Sequence, residues 1–166
     1  MRNLVAVPVI MFAVILQSAM ISRIYLLSGI ADLPLVMLAA WALQDNVDSA
    51  WHWGIAFGLM VGFVSGIPWY VYVMGYGVVV ALAQVLQKRV WHAPLLAMFT
   101  VTLLGTVVVC IISYLVLRIA SVNIPIGDVL GLVVLPSVLL NMLLAIPVFA
   151  VMRDLSRWAY PSPEVE

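Results

Sequence analysis

Charge is what this sequence has least of. Of its 166 residues only 8% are charged, seven basic against seven acidic, for a formal net charge of zero. A soluble domain carries about 25% charged residues, so this set cannot clothe a surface in water. The sparse balance excludes the basic stripe of a nucleic-acid binder, and no nucleic acid is expected as partner. It equally excludes the charge-rich, apolar-poor composition of a disordered chain. The one cysteine, Cys110, permits no internal disulfide and no thiolate zinc cage. No glycine run precedes a Lys-Ser/Thr pair, so a phosphate-cradling loop is missing too. The two histidines, His52 and His92, lie at expected loops. Asp45, Asp48 and His52 share one helical face by spacing, but three ligands in a solvated loop are ordinarily just solvated. The chain reads as non-catalytic, with no cofactor and no metal.

What is there is apolar. Hydrophobic residues make up 66% of the chain and mean hydropathy is +1.23, the composition of an integral membrane protein. A helix crosses the hydrocarbon in about 20 residues, and the charges punctuate runs of that order. The spacing predicts six spans, at about 4–24, 27–43, 53–67, 71–86, 93–117 and 129–152. They form one all-α polytopic domain over residues 1–166, a compact bundle of six transmembrane helices. The first run starts like a secretory leader, with Arg2 ahead of it. It exceeds the usual length of about 7–15 residues, and Gln17-Ser18-Ala19 is not a small-x-small cleavage site, so retention is expected.

Lys and Arg counts in short loops set orientation. With both termini cytoplasmic, Arg2, Lys88, Arg89, Arg153 and Arg157 lie inside, and only Arg23 and Arg118 outside. Aromatics fall at the expected ends, Trp51, Trp53, Trp91, Trp158 and Tyr160 inside and Tyr25, Trp69, Tyr70 and Tyr114 outside. There their rings serve as interfacial anchors. The deep polar residues are Gln17, Ser65, Gln84, Thr100, Thr102, Thr106, Ser113 and Asn141, none of them ionisable. Asp32 and Asp128 are placed near outer ends, so a proton relay has no members.

Two features point to close helix packing. Gly54, Gly58, Gly62 and Gly66 recur at i+4 on the third span, a side-chain-free ridge that a second backbone can approach. The ridge serves either a neighbouring span or a partner's transmembrane helix. Asn141 is mid-span and needs a hydrogen-bond partner; Gln17 lies at a suitable depth. Pro136 and Pro147 each free a carbonyl four residues earlier, which a neighbour must satisfy.

Three stretches together resemble the family of the rod shape-determining protein MreD. In the first, Leu16-Gln17-Ser18 ends the amino-terminal span and Gly29-Ile30-Ala31-Asp32-Leu33-Pro34-Leu35-Val36 opens the second, with Asp32 ahead of Pro34. In the second, Gly58 to Gly66 leads on to Gly75. Pro68 and Trp69 stand where the family often has an aspartate. The third runs from Leu135 to Asn141 and into Met142-Leu143-Leu144. The resemblance covers nearly the whole chain. It implies a non-enzymatic scaffold in the bacterial plasma membrane, acting in cell shape. The direct partner would be the transmembrane helix of MreC, gripped along Gly54 to Gly66. RodA, a class B penicillin-binding protein, RodZ and MreB would belong to the same peptidoglycan-synthesising assembly, with membrane lipid around it. Such bundles also resemble the substrate-binding subunits of energy-coupling-factor vitamin transporters. Those carry an Ala-x-x-x-Ala docking face on the first span, whereas here Ala6 is followed by Ile10 and Ala13 by Gln17. An assembly factor for an unrelated membrane complex is the third reading.

Overall fold

The computed structural model describes residues 6–19, 25–44, 47, 49–89, 93–122 and 124–159. Six helices and one small hairpin account for most of them. The elements are α1 (Ala6–Ala19), β1 (Tyr25–Leu26), β2 (Gly29–Ile30), α2 (Leu33–Ala42), α3 (Ala50–Val64), α4 (Trp69–Arg89), α5 (Pro94–Ile119) and α6 (Ile126–Ala159). Three stretches are long and apolar enough to cross a membrane by length and composition: Trp69–Lys88, Pro94–Ile119 and Ile126–Ala159. The shorter apolar helices are Pro8–Ala19, Leu33–Ala42 and Ala50–Val64.

The second expected span differs most from its reading. Residues 27–43 are not one helix. Tyr25 pairs with Ile30 and Leu26 with Gly29 in an antiparallel hairpin whose turn holds Leu27 at φ 54°. The helix begins only at Leu33, where the Asp32 side chain accepts from the Leu35 amide and Pro34 occupies the first turn. Both are strong start signals, since a capping oxygen and a fixed φ suit the unpaired first turn. Ten residues rise only about 15 Å, half of the about 30 Å hydrocarbon thickness. Every residue of α2 is buried. Leu26, Leu27, Ser28 and Ile30 of the hairpin are exposed and only Gly29 is buried, whereas the lead-in residue Ala31 is buried and Asp32 half-buried.

The other five helices all contact α2. Around it α6 packs on α5, α5 on α4, α4 on α3 and α3 on α1. The partial ring therefore opens between α6 and α1. At the far end of α2, Trp41 stacks on Trp53 with ring centroids 4.4 Å apart. Trp53 is only 2% exposed, so it is a core residue and not the interfacial anchor its position suggests. Trp51, Trp69, Tyr70 and Trp158 are exposed, as anchors require. Trp91 and Tyr160 lie outside the described residues, as do Arg2, Arg23, Asp45, Asp48 and His92.

Candidate functional site

The extended chain from Ser28 to Leu33 is held on two sides. Successive residues of an extended strand point to opposite faces, so alternate amides face one neighbour. The amides of Ser28, Ile30 and Asp32 donate to the Leu132 carbonyl at 3.0 Å, Ser137 Oγ at 3.1 Å and Asn141 Oδ1 at 2.7 Å, all on α6. The Leu132 carbonyl is available because Pro136, four residues on, has no N–H. The surrounding stretch Val129–Val134 is π-helical. On the other side Gln17 of α1 clamps the chain. Its Nε2 donates to the Ala31 carbonyl at 2.7 Å, and its Oε1 accepts from the Leu33 amide at 2.9 Å.

Gln17 and Asn141 are thus not partners of each other. Each grips the same segment from an opposite flank, and Asn141 Nδ2 donates to Thr106 Oγ1 at 2.9 Å. Thr106 Oγ1 in turn donates to the Thr102 carbonyl at 2.7 Å. Asn141 is fully buried, as its position mid-span demands.

Asp32, expected near an outer end, lies deep instead. Its carboxylate accepts from the hydroxyl of Tyr76, at 2.8 Å to Oδ1 and 2.9 Å to Oδ2. Tyr76 is fully buried on α4. With Asn141 bonding its amide and Tyr76 its carboxylate, Asp32 is fixed against the middle of two long helices. The expectation that no ionisable group lies deep is corrected here. The hairpin displaces the start of α2 towards the bundle centre, carrying Asp32 with it. Among the described residues the one ion pair joins Arg153 to Asp154, and no cation meets Asp32.

Asp32 keeps partial exposure through a cavity of about 630 Å³ that it lines together with Gln17, Tyr72, Cys110, Tyr114 and Asn141. The cavity runs from this polar floor to Ile67, Leu117 and Ile124, residues at the ends of α3 and α5. Aliphatic residues, Val14, Leu35, Val61 and Val109 among them, share its walls with Ser65, Ser113 and Tyr114.

The glycine ridge faces inward. A Cβ on Gly58 would stand 2.7 Å from Val73 Cα, and one on Gly62 would stand 2.5 Å from Trp69 Cα. At Gly54 it would meet Val80 Cγ2 at 3.0 Å. All three neighbours are on α4, so the ridge is consumed by α3–α4 packing and offers no groove to a partner. Gly66 falls beyond the end of α3 and has nothing within 4 Å of such a Cβ. Gly75 plays the same part for α4 and α5, where its Cβ would lie 2.6 Å from Val109 Cγ2.

A second concavity, also of about 630 Å³, fills the opening between α1 and α6 and is floored by Leu33 and Met37 of α2. Val9, Phe12 and Leu16 line one wall, at i, i+3 and i+7; Leu144, Val148, Val151 and Leu155 line the other, at i, i+4, i+7 and i+11. Each spacing places its residues on one face of the helix, so both walls are continuous apolar strips.

Sequence reasoning found Gln17, Asp32, Pro34 and Asn141 and missed Tyr76, Ser137 and the hairpin. Ser28-Gly29 was the available turn signal. Among the described residues no cluster of His, Cys, Asp and Glu suits a metal ion. No family model, curated protein or solved structure matches the chain.

Proposed function

We propose that this protein is a non-catalytic membrane scaffold of the bacterial elongation complex, an MreD-like bundle that grips the transmembrane helix of MreC. The observation that carries the reading is the α1–α6 groove, apolar throughout and walled by one face of each helix. An α-helix with side chains is about 10–12 Å across, and two apolar helix faces flanking a floor helix offer it ridges and grooves to pack against. The floor is α2, a helix in contact with every other helix, so a partner seated there touches the element that organises the bundle. Holding MreC would fix its periplasmic part relative to the MreB filament. RodZ, RodA and the class B penicillin-binding protein would then be recruited within the same assembly, in the plasma membrane with both termini cytoplasmic.

The docking surface moves from Gly54–Gly66 to this groove, because α4 covers the ridge. Cysteines at Phe12 and Val151, in a Cys110→Ser background, are expected to crosslink to cysteines along the MreC helix. Gly58→Cys, beneath α4, is expected to give none. Equal crosslinking from Phe63, which faces outward on α3 at 79% exposure, would sink the groove as the interface. Energising ATPases co-purifying from native membranes, with MreC missing, would overturn the scaffold reading in favour of a vitamin-transporter subunit.

A further inference from the structure

We propose that the cavity beside Asp32 binds a small amphiphile with an apolar body and a single primary ammonium head, the head on the Asp32 carboxylate. The inference is independent of the scaffold reading, since the α1–α6 groove and this cavity share none of their lining residues.

The floor of the cavity selects the head. Asp32 Oδ1 accepts from the Leu35 amide and from Tyr76, while Oδ2 has only the shared Tyr76 proton. A carboxylate offers about four acceptor positions, so Oδ2 is left with capacity for a donor arriving through the cavity. Gln17 and Asn141 also line the floor, but both ends of each amide are engaged by protein. An anion is disfavoured because Asp32 already occupies the amino terminus of α2, where an anion would otherwise be welcome. A half-buried carboxylate that meets no cation among the described residues is best matched by a ligand that brings one.

The walls select the body. From Thr106 at the floor to Leu117 at the far end, both on α5, the cavity follows about 16 Å of helix. That length and a lining surface that is mostly apolar suit an unbranched chain, with the hydroxyls of Ser65, Ser113 and Tyr114 spaced along it. Its floor differs from that of the α1–α6 groove, because Asp32 and Asn141 set a carboxylate and an amide there, whereas the groove is lined by apolar side chains alone.

Cys110 is the sole cysteine, half-buried, and lines this cavity. It reports on access without any substitution. In purified protein its modification by cationic aminoethyl methanethiosulfonate is compared with anionic sulfonatoethyl methanethiosulfonate, each normalised to its rate with a free thiol. A cation preference of about tenfold or more is expected, the scale of one charge-assisted contact. Hexylamine should slow the modification saturably, and 1-hexanol should do so far less. Asp32→Asn should abolish both the cation preference and the distinction between amine and alcohol. If Asp32→Asn fails to fold, the wild-type amine-versus-alcohol comparison still decides. Separate arms in phosphatidylcholine nanodiscs, with and without phosphatidylethanolamine, tell a free amine from an aminolipid headgroup. Equal rates for the two reagents, or equal protection by amine and alcohol, would each overturn the proposal.

Discussion

Asn141 shows how a residue's need can be legible while its partner is not. A buried amide in a membrane segment must find hydrogen bonds, and one sequence suffices to say so. Gln17 is a reasonable guess at the partner because both lie at similar depth. The structure instead inserts the backbone of Ala31, Asp32 and Leu33 between them. Replacing Asn141 by Leu removes the acceptor for the Asp32 amide and the donor to Thr106 Oγ1. An unmet buried group costs about 1–3 kcal/mol, whereas intramembrane hydrogen bonds average nearer 0.6 kcal/mol. Asn141→Leu is therefore expected to lower stability by about 1–3 kcal/mol, read by reversible unfolding in mixed micelles. The glycines give a sharper contrast. Gly58→Val places a branched side chain against Val73 Cα and should cost about 1–3 kcal/mol. A Cβ at Gly66 meets nothing within 4 Å, so Gly66→Ala should leave the unfolding midpoint within measurement error. Leu27, exposed at φ 54°, holds a backbone conformation that costs an L-residue about 1–2 kcal/mol. Leu27→Gly should raise the midpoint.

At the scale of elements, the hairpin and α6 explain each other. Pro136 leaves the Leu132 carbonyl without its helical donor, and the Ser28 amide supplies one. Gly29 lets the two approach, since a Cβ there would lie 2.6 Å from the Ser137 amide nitrogen and 2.7 Å from Pro136 Cβ. Gly29→Val is expected to push the hairpin off α6. Amide hydrogen exchange at Ser28, Ile30 and Asp32 should then quicken together, while α4 and α5 stay protected. Unchanged protection at those three amides would show that the hairpin is held by something else. The long apolar helices were readable from the charges that bound them, as with α5 against its expected 93–117. The half-helix α2 was not. Apolar residues from Leu33 onward look alike whether a span is complete or halved, and only the bonds from Gln17, Ser137 and Asn141 make an extended lead-in tolerable.

The whole molecule is held by apolar contact and internal hydrogen bonds. Its one described ion pair, Arg153 with Asp154, joins neighbours on an exposed stretch at 3.7 Å. Exposed pairs contribute about 0–1 kcal/mol and are screened by salt. Raising sodium chloride from about 0.05 to about 0.5 M should shift the unfolding midpoint by less than about 2 °C. A large loss of stability would place essential ion pairs outside the described residues.

Taken alone, the sequence determined the class of protein. With 8% charge and 66% apolar residues, no fold other than one shielded from water by lipid satisfies the hydrophobic effect. It also determined which residues needed company: the small ones spaced for close approach and the polar ones stranded mid-span. Tertiary structure decided who kept that company. It gave the glycine ridge to α4, and brought Asp32 from an expected end to the floor of a cavity. It also left the groove between α1 and α6 open. Periodicity is local, carried by residues three and four apart. Depth and partnership depend on where helices far apart in sequence come to lie, and no local pattern encodes that.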